Sequence, residues 1–101
     1  MNVANLQLEG LLVAVAEINR LLVSKGLVSV DELDLTLRKA EASLTSEDKS
    51  VELPPANRDA VAFPVRFLQL ANSLGIDESL PEFTEIAKLV GKTKEPYNDQ
   101  R

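Results

Sequence analysis

The chain contains no cysteine, no histidine and no tryptophan among its 101 residues. Without cysteine it can form no disulfide, no thiolate nucleophile and no iron–sulfur or cysteine–zinc site. Without histidine it lacks the most common general base and the most common ligand of transition metals. Its three phenylalanines and one tyrosine are too few for a platform on which nucleic-acid bases stack. These absences exclude several classes of enzyme and metal site, and we expect no cofactor.

The chain is mildly acidic, and its basic residues are not clustered. The net charge is -5, from 16 acidic and 11 basic residues, and the basic residues are scattered along the chain. Because a phosphate backbone attracts clustered lysine and arginine, this pattern argues against nucleic-acid binding. No apolar run approaches the ~20 residues of a membrane span, and residues 1–10 lack the basic residues of a signal peptide. We therefore expect a cytoplasmic protein without a membrane segment.

Apolar residues make up 45% of the chain, which suits one globular domain of this length. Residues 3–24 contain no proline, and apolar side chains recur there at the spacing of one helix face. The members of this stripe are Leu8, Leu11, Val15, Ile18 and Leu22. The opposite arc is polar and consists chiefly of Glu9, Glu17, Arg20 and Ser24. The pattern predicts a first helix that turns the stripe toward the core and is the most buried helix of the fold.

A glycine and a serine separate this helix from the next. Gly26 stands where helices often end in a left-handed residue, a conformation that only glycine adopts without steric cost. Ser29 precedes Glu32 by three residues, which is the spacing of a capping box, in which each side chain accepts from the backbone N–H of the other residue. The sequence therefore predicts a second helix over residues 30–44.

The third helix is predicted over residues 57–74, after a loop that ends in two prolines. Pro64 lies inside it, and we expect a helix that is kinked at this proline but not ended by it. The reason is that the phenylalanine spacing continues from Phe63 to Phe67 across the proline. Gly75 marks the predicted end of this helix.

The fourth helix is predicted over residues 80–90, with Ser79 and Glu82 as a second capping box and Gly91 as its end. Residues 92–101 show no apolar periodicity and are predicted to form a flexible tail. Together the patterns predict an all-α fold, namely a four-helix, bundle-like single domain over residues 1–91, made of two helical hairpins.

No constellation in the sequence indicates catalysis. The acids at the start of the second helix, Asp31, Glu32 and Asp34, lack the spacing of a calcium-binding loop and suit the positive end of the helix dipole. The same acids would repel phosphate if this helix entered the DNA major groove. No serine lies in a nucleophile elbow and no glycine-rich phosphate loop occurs. We therefore assign no catalytic, metal-binding or cofactor-binding residue and expect no enzyme.

The chain carries more apolar residues than four short helices can bury, which favours self-association or docking to a partner. Six leucines and valines are candidates for such an interface: Leu8, Leu12, Val15, Val23, Leu35 and Leu68. Arg58 and Arg66 flank the phenylalanine face and are candidates for contact with an anionic ligand.

The function that these observations favour is a non-enzymatic protein–protein interaction or assembly module that forms a homo-oligomer, most simply a dimer. One alternative is a small transcriptional regulator that uses the first two helices as a helix-turn-helix. Another alternative is a small-molecule binder with a pocket around Phe63 and Phe67.

Overall fold

Four α-helices account for most of residues 3–45, 55–74 and 79–93, which are the residues that the computed structural model describes. They are α1 (Val3–Ser24), α2 (Val30–Leu44), α3 (Pro55–Ser73) and α4 (Phe83–Thr93). These described ranges contain no β-strand. The predicted all-α fold with four helices in a small bundle is confirmed.

The joint between α1 and α2 forms as predicted at both of its ends. Gly26 has φ +75°, and its N–H donates to the carbonyl of Val23 at 2.9 Å, while the N–H of Leu27 donates to the carbonyl of Leu22 at 3.0 Å. This pair of bonds is the Schellman motif, which satisfies carbonyls at the helix end. It also explains why glycine stands at this position, since other residues are strained at this φ.

The start of α2 is a complete capping box. The Ser29 hydroxyl accepts from the N–H of Glu32 at 3.0 Å, and the Glu32 carboxylate accepts from the N–H of Ser29 at 2.8 Å. Two backbone donors that would otherwise lack a helical partner are satisfied in this way. The prediction for this helix is confirmed at both ends, because α2 ends at Leu44.

Helix α3 passes through Pro64 without interruption, so the predicted continuity is confirmed. It begins at Pro55, two residues earlier than the predicted start. Proline suits the first turn of a helix, because the missing N–H has no helical partner there. The predicted end at Gly75 lies outside the described residues.

Helix α4 begins later and ends later than predicted. Residues 79–82 are not helical. The hydrogen bond that closes the first turn of α4 runs from the N–H of Ile86 to the carbonyl of Glu82, at 3.3 Å. The prediction of a helix from residue 80 is wrong because Pro81 disfavours helical backbone in the residue before it. The helix also continues through Gly91 to Thr93, so the first two residues of the predicted tail are helical. The rest of that tail lies outside the described residues.

The core is built around α3, which contacts each of the other three helices and packs most extensively on α2. Its central members come from α1, α3 and α4: Leu12, Ala16, Phe67, Leu68, Ala71, Ile86 and Val90. The buried residues of α1 are only Leu12, Ala16 and Arg20. The prediction that the first helix is the most buried is therefore wrong, because α3 supplies the large central side chain, Phe67.

The orientation of α1 about its own axis also differs from the prediction. Leu11 and Ile18 of the predicted inner stripe are 60% and 56% exposed, whereas Arg20 of the predicted polar arc is only 8% exposed. Leu8 and Val15 pack against the core from its edge. The buried positions 12 and 16 are each one residue on from positions 11 and 15 of the stripe, which corresponds to a rotation of roughly 100°. The helix is apolar over so wide an arc that periodicity alone did not select the buried side.

Candidate interaction surface

A continuous set of apolar side chains covers the outer side of α1. Leu11, Ile18 and Leu21 are each more than half exposed, and Ala14, between them on the helix surface, is exposed as well. Residues that are three and seven positions apart share one face of a helix. These four residues are called the α1 apolar face below.

The α1 apolar face is the main concentration of exposed hydrophobic residues in the described part of the chain. In the whole described part of the chain, ten large hydrophobic side chains are exposed. Five belong to α1 itself: Val3, Leu6, Leu11, Ile18 and Leu21. Leu27, in the turn that follows α1, is a sixth and is 67% exposed. Exposed leucines scattered singly are ordinary, but several on one side of one helix indicate a contact surface.

Charged residues stand only at the margins of this face. The chain carries no charge from Leu11 to Ala16, and Glu17 and Lys25 then lie four residues before and four residues after Leu21. Both are exposed. A Glu17 oxygen also lies 3.8 Å from Nε of Arg20, yet the Glu17 side chain remains 57% exposed. The centre of the surface is thus apolar, and one charge of each sign borders Leu21.

The six predicted interface residues are distributed between core and surface. Leu12 and Leu68 are 3% and 9% exposed and belong to the core, so neither is part of the candidate surface. Leu8 and Val15 pack against the core. The two remaining residues, Val23 and Leu35, are half-buried and exposed, respectively.

Arg66, a predicted anion contact, is held in a polar cluster between α2 and α3. Its Nε donates to Oε2 of Glu41 at 2.8 Å, and its Nη1 donates to Oδ1 of Asp59 at 3.3 Å. Gln69 donates from Nε2 to the other oxygen of Glu41 at 3.0 Å. Both carboxylates already neutralise this arginine, so its role here is to join two helices. Arg58, the second predicted anion contact, is exposed near the start of α3.

Electrostatics within this cluster favour the charged forms of both partners. Burial by itself raises the pKa of Glu41, but the hydrogen bonds from Gln69 and Arg66 outweigh it and hold the pKa below its ordinary value. For Arg66, burial lowers the pKa, and the hydrogen bond to Glu41 with the nearby negative charges outweighs burial and raises it. The two shifts agree in direction with a stable ion pair.

The three phenylalanines pack on one another. The rings of Phe67 and Phe83 stack with centroids 4.9 Å apart, and Phe63 lies 6.1 Å from each of them. Phe67 is completely buried. An open cleft of about 290 Å³ lies on the α1 side of Phe83, where its lining includes Glu9, Val13 and Glu17. A small-molecule site around Phe63 and Phe67 therefore stays a prediction.

The acids at the start of α2 have structural partners. Glu32 belongs to the capping box, and Oδ2 of Asp34 accepts from Nε of Arg38 at 2.7 Å. This hydrogen bond raises the pKa of Arg38. The helix that would read DNA in a helix-turn-helix therefore begins with acids, and the first of its two basic residues, Arg38, is paired with one of them.

The described helices show neither a metal site nor a membrane span. Within residues 3–45, 55–74 and 79–93, no three or more acidic, histidine or cysteine side chains are placed to hold a metal ion. In the same ranges no helix combines the length and apolar character needed to cross a membrane. A comparison of the chain with protein-family models, curated proteins and solved structures found no match.

Proposed function

We propose that this protein is a non-enzymatic interaction or assembly module that self-associates through the α1 apolar face. The observation that carries the proposal is the exposure of Leu11, Ile18 and Leu21, each above one half, on one side of a helix whose other side enters the core. The apolar arc of α1 is wider than the one side that the core covers, and a contiguous apolar surface of this kind favours a second contact. A second copy of the chain is the simplest cover, because most soluble oligomers are homodimers with two-fold symmetry.

The expected affinity follows from the apolar area that pairing removes from water. Complete burial of a leucine side chain contributes about 1.5–3 kcal/mol, so covering the exposed half of one contributes about 1 kcal/mol. Two copies bring six such side chains, or about 6 kcal/mol, against a cost of association of about 4–15 kcal/mol. Even at the lowest of these costs the surplus is only about 2 kcal/mol, so the α1 apolar face alone supports at most a weak dimer, which we expect to form only at high protein concentration.

Sedimentation velocity over a dilution series from micromolar to millimolar concentration tests the proposal. We expect a reversible monomer–dimer equilibrium for the unchanged protein. Ile18→Glu places a charge in the α1 apolar face and should leave only monomer. Leu35→Glu is the matched control, because Leu35 on α2 has the same 56% exposure as Ile18, and it should leave the equilibrium unchanged.

Each other outcome contradicts a defined part of the proposal. An unchanged protein that remains monomeric at the highest concentration would overturn self-association. A dimer that Leu35→Glu disrupts and Ile18→Glu does not would move the interface to α2. Circular dichroism of both variants verifies that they are folded, which we expect because both positions are at the surface.

A further inference from the structure

Exposed residues on the outer side of α1 are spaced alternately four and three positions apart. The α1 apolar face forms the centre of this row, and Gln7 and Lys25 close it at either end. All of its members are exposed, at positions 7, 11, 14, 18, 21 and 25. Helical hydrogen bonding reaches the last position, because the N–H of Lys25 donates to the carbonyl of Leu21 at 3.0 Å. This spacing is typical of the seam along which two helices of a coiled coil pack.

We propose that two copies of the chain pair through α1 in antiparallel orientation, around a two-fold axis at the level of residue 16. This inference rests on the self-association proposed above and specifies its geometry. In this register Leu11 of one copy is level with Leu21 of the other, and Ala14 is level with Ile18. The two-fold axis repeats both contacts, so the pairing covers the whole α1 apolar face and packs each isoleucine against a small alanine.

Both ends of α1 fit the same register. Each α1 overlaps its partner over residues 8–24, a length of about 24 Å. Residues 3–7 extend past the end of the partner helix and lie at the level of the turn that follows it. Val3 and Leu6 in this extension are 68% and 51% exposed, and Leu27 in the turn is 67% exposed. The pairing thus brings the remaining exposed apolar side chains of α1 and its turn together at each end.

The polar residues that close the row select this register among its neighbours. Gln7 is level with Lys25 of the other copy, where its amide oxygen can accept from the ammonium group. Sliding one helix by seven residues would place Gln7 opposite Ile18, and the reverse slide would place Lys25 opposite Ala14. Either shift covers a polar group with an apolar one, which is unfavourable.

A parallel pair would place each residue level with its own counterpart. Lys25 stands on the centre line of the row, so the two ammonium groups would meet there, and like charges across an interface are unfavourable. The two Ala14 side chains would also face each other, and the gap between them would lose packing contacts.

The antiparallel pair brings together one pair of like charges of its own. The two-fold axis keeps Glu17 of both copies at the same edge, about 3 Å apart along the helices. That edge is exposed to water and salt, which screen the repulsion. A Glu17 oxygen also lies 3.8 Å from Nε of Arg20, which offsets part of its charge. Two lysines at the centre of the row repel more strongly, so the antiparallel orientation is favoured.

Cysteine cross-linking measures the orientation directly, because the chain contains no cysteine. Leu11→Cys and Leu21→Cys proteins, mixed at a concentration that gives dimer, should form a disulfide-linked dimer on mild oxidation. Either variant alone should not, because its own two thiols are about 15 Å apart along the helices, beyond the roughly 7 Å between Cα atoms that a disulfide spans. Leu35→Cys in place of Leu11→Cys is the matched control and should give no rapid product.

A charge at position 7 provides the second, independent readout. Gln7→Glu places a carboxylate level with Lys25 of the other copy at both ends of the pair, and it should lower the Kd of the dimer by about fivefold. In a parallel pair the same change would bring two carboxylates together and raise the Kd. Adding Lys25→Gln to Gln7→Glu should remove the gain, and added salt should weaken it.

The outcomes separate the geometry from the self-association on which it rests. Rapid cross-linking of each cysteine variant alone, in a dimer that Ile18→Glu still disrupts, would overturn the antiparallel geometry and leave self-association standing. A rise in Kd for Gln7→Glu would do the same. A chain that stays monomeric at every concentration would overturn both proposals.

Discussion

Helices α1 and α3 are the two longest in the described chain, with 22 and 19 residues, and they place their apolar residues in opposite environments. Phe67 and Ala71 of α3 are completely buried, whereas Leu11 and Ile18 of α1 are more than half exposed. The difference does not come from composition, because α1 is the more apolar of the two in sequence. It comes from position in the bundle.

Neighbours on several sides explain the burial of α3. This helix contacts α1, α2 and α4, so other helices cover most of its surface. Helix α1 packs mainly against α3, and one side of it is enough for that contact. A strongly apolar helix at the edge of a bundle therefore keeps an uncovered face, and such faces are where partners bind.

The largest expected effect compares a truncation in each helix. Phe67→Ala should lower the free energy of unfolding by about 3–5 kcal/mol, because it removes a completely buried ring. Ile18→Ala should change it by about 0.5 kcal/mol or less, as surface substitutions usually do. Urea unfolding of both variants at high dilution, where the proposed dimer dissociates, measures the two effects in the monomer.

Similar losses in the free energy of unfolding for the two truncations would contradict the difference in burial between α1 and α3. A large loss for Ile18→Ala at high dilution would mean that the α1 apolar face is covered within one chain. The midpoint of urea unfolding should also rise with concentration for the unchanged protein, because association stabilises the folded state.

The next effect concerns the polar cluster that joins α2 to α3. Glu41→Gln keeps the shape of the side chain but removes the charge that Arg66 binds, and it should lower the free energy of unfolding at neutral pH by about 1–2 kcal/mol. The pKa of Glu41 lies below its ordinary value of 4.5. Its contribution is therefore fully present above pH 4.5 and is lost as the pH falls through the lower pKa of the folded state.

The pH dependence supplies the measurement for this cluster. Unfolding of the unchanged protein and of Glu41→Gln should differ at neutral pH and converge as the pH is lowered below 4.5. A constant difference across this range would show that the carboxylate charge is not the stabilising feature. Asp34→Asn is the matched control, since Asp34 forms an exposed ion pair with Arg38 and should have a smaller effect.

The smallest expected effect concerns a polar group inside α3. Asn72 is 5% exposed, and neither its amide nitrogen nor its amide oxygen has a hydrogen-bond partner within the part of the chain that is described. Replacing it with leucine removes this unsatisfied group and should raise the free energy of unfolding by about 1 kcal/mol. Asn72→Asp has nearly the same shape and should lower it, because a buried charge is costly. If the order leucine, asparagine, aspartate is not found in urea unfolding, the amide has a partner in solution.

The fold could be predicted where local chemistry decides the structure. The end of α1 at Gly26 and the start of α2 at Ser29 depend on hydrogen bonds between residues at most five apart. The start of α4 was predicted three residues too early, at residue 80 instead of Phe83. The sequence contains two local signals there, the capping pattern of Ser79 and Glu82 and the restriction that Pro81 places on the residue before it, and the second outweighs the first. Local signals that compete are harder to interpret than local signals that agree.

The candidate surface could be predicted only in outline. The excess of apolar residues in the first helix indicated an interface, but Leu12 and Leu68 proved to be core residues, and Leu11 and Ile18 proved to be exposed. The width of the apolar arc was the available signal. It indicates that an uncovered face exists without indicating which side it is on.

The sequence by itself determined the helices and their joint, because glycine, serine, proline and their neighbours act over a single helical turn. Only the tertiary structure decided which side of α1 meets the core. That choice depends on Phe67, Ile86 and the other side chains that α3 and α4 bring to the same place, and it buries Arg20 while leaving Ile18 in water. Packing is a property of several helices together, whereas a cap is a property of one.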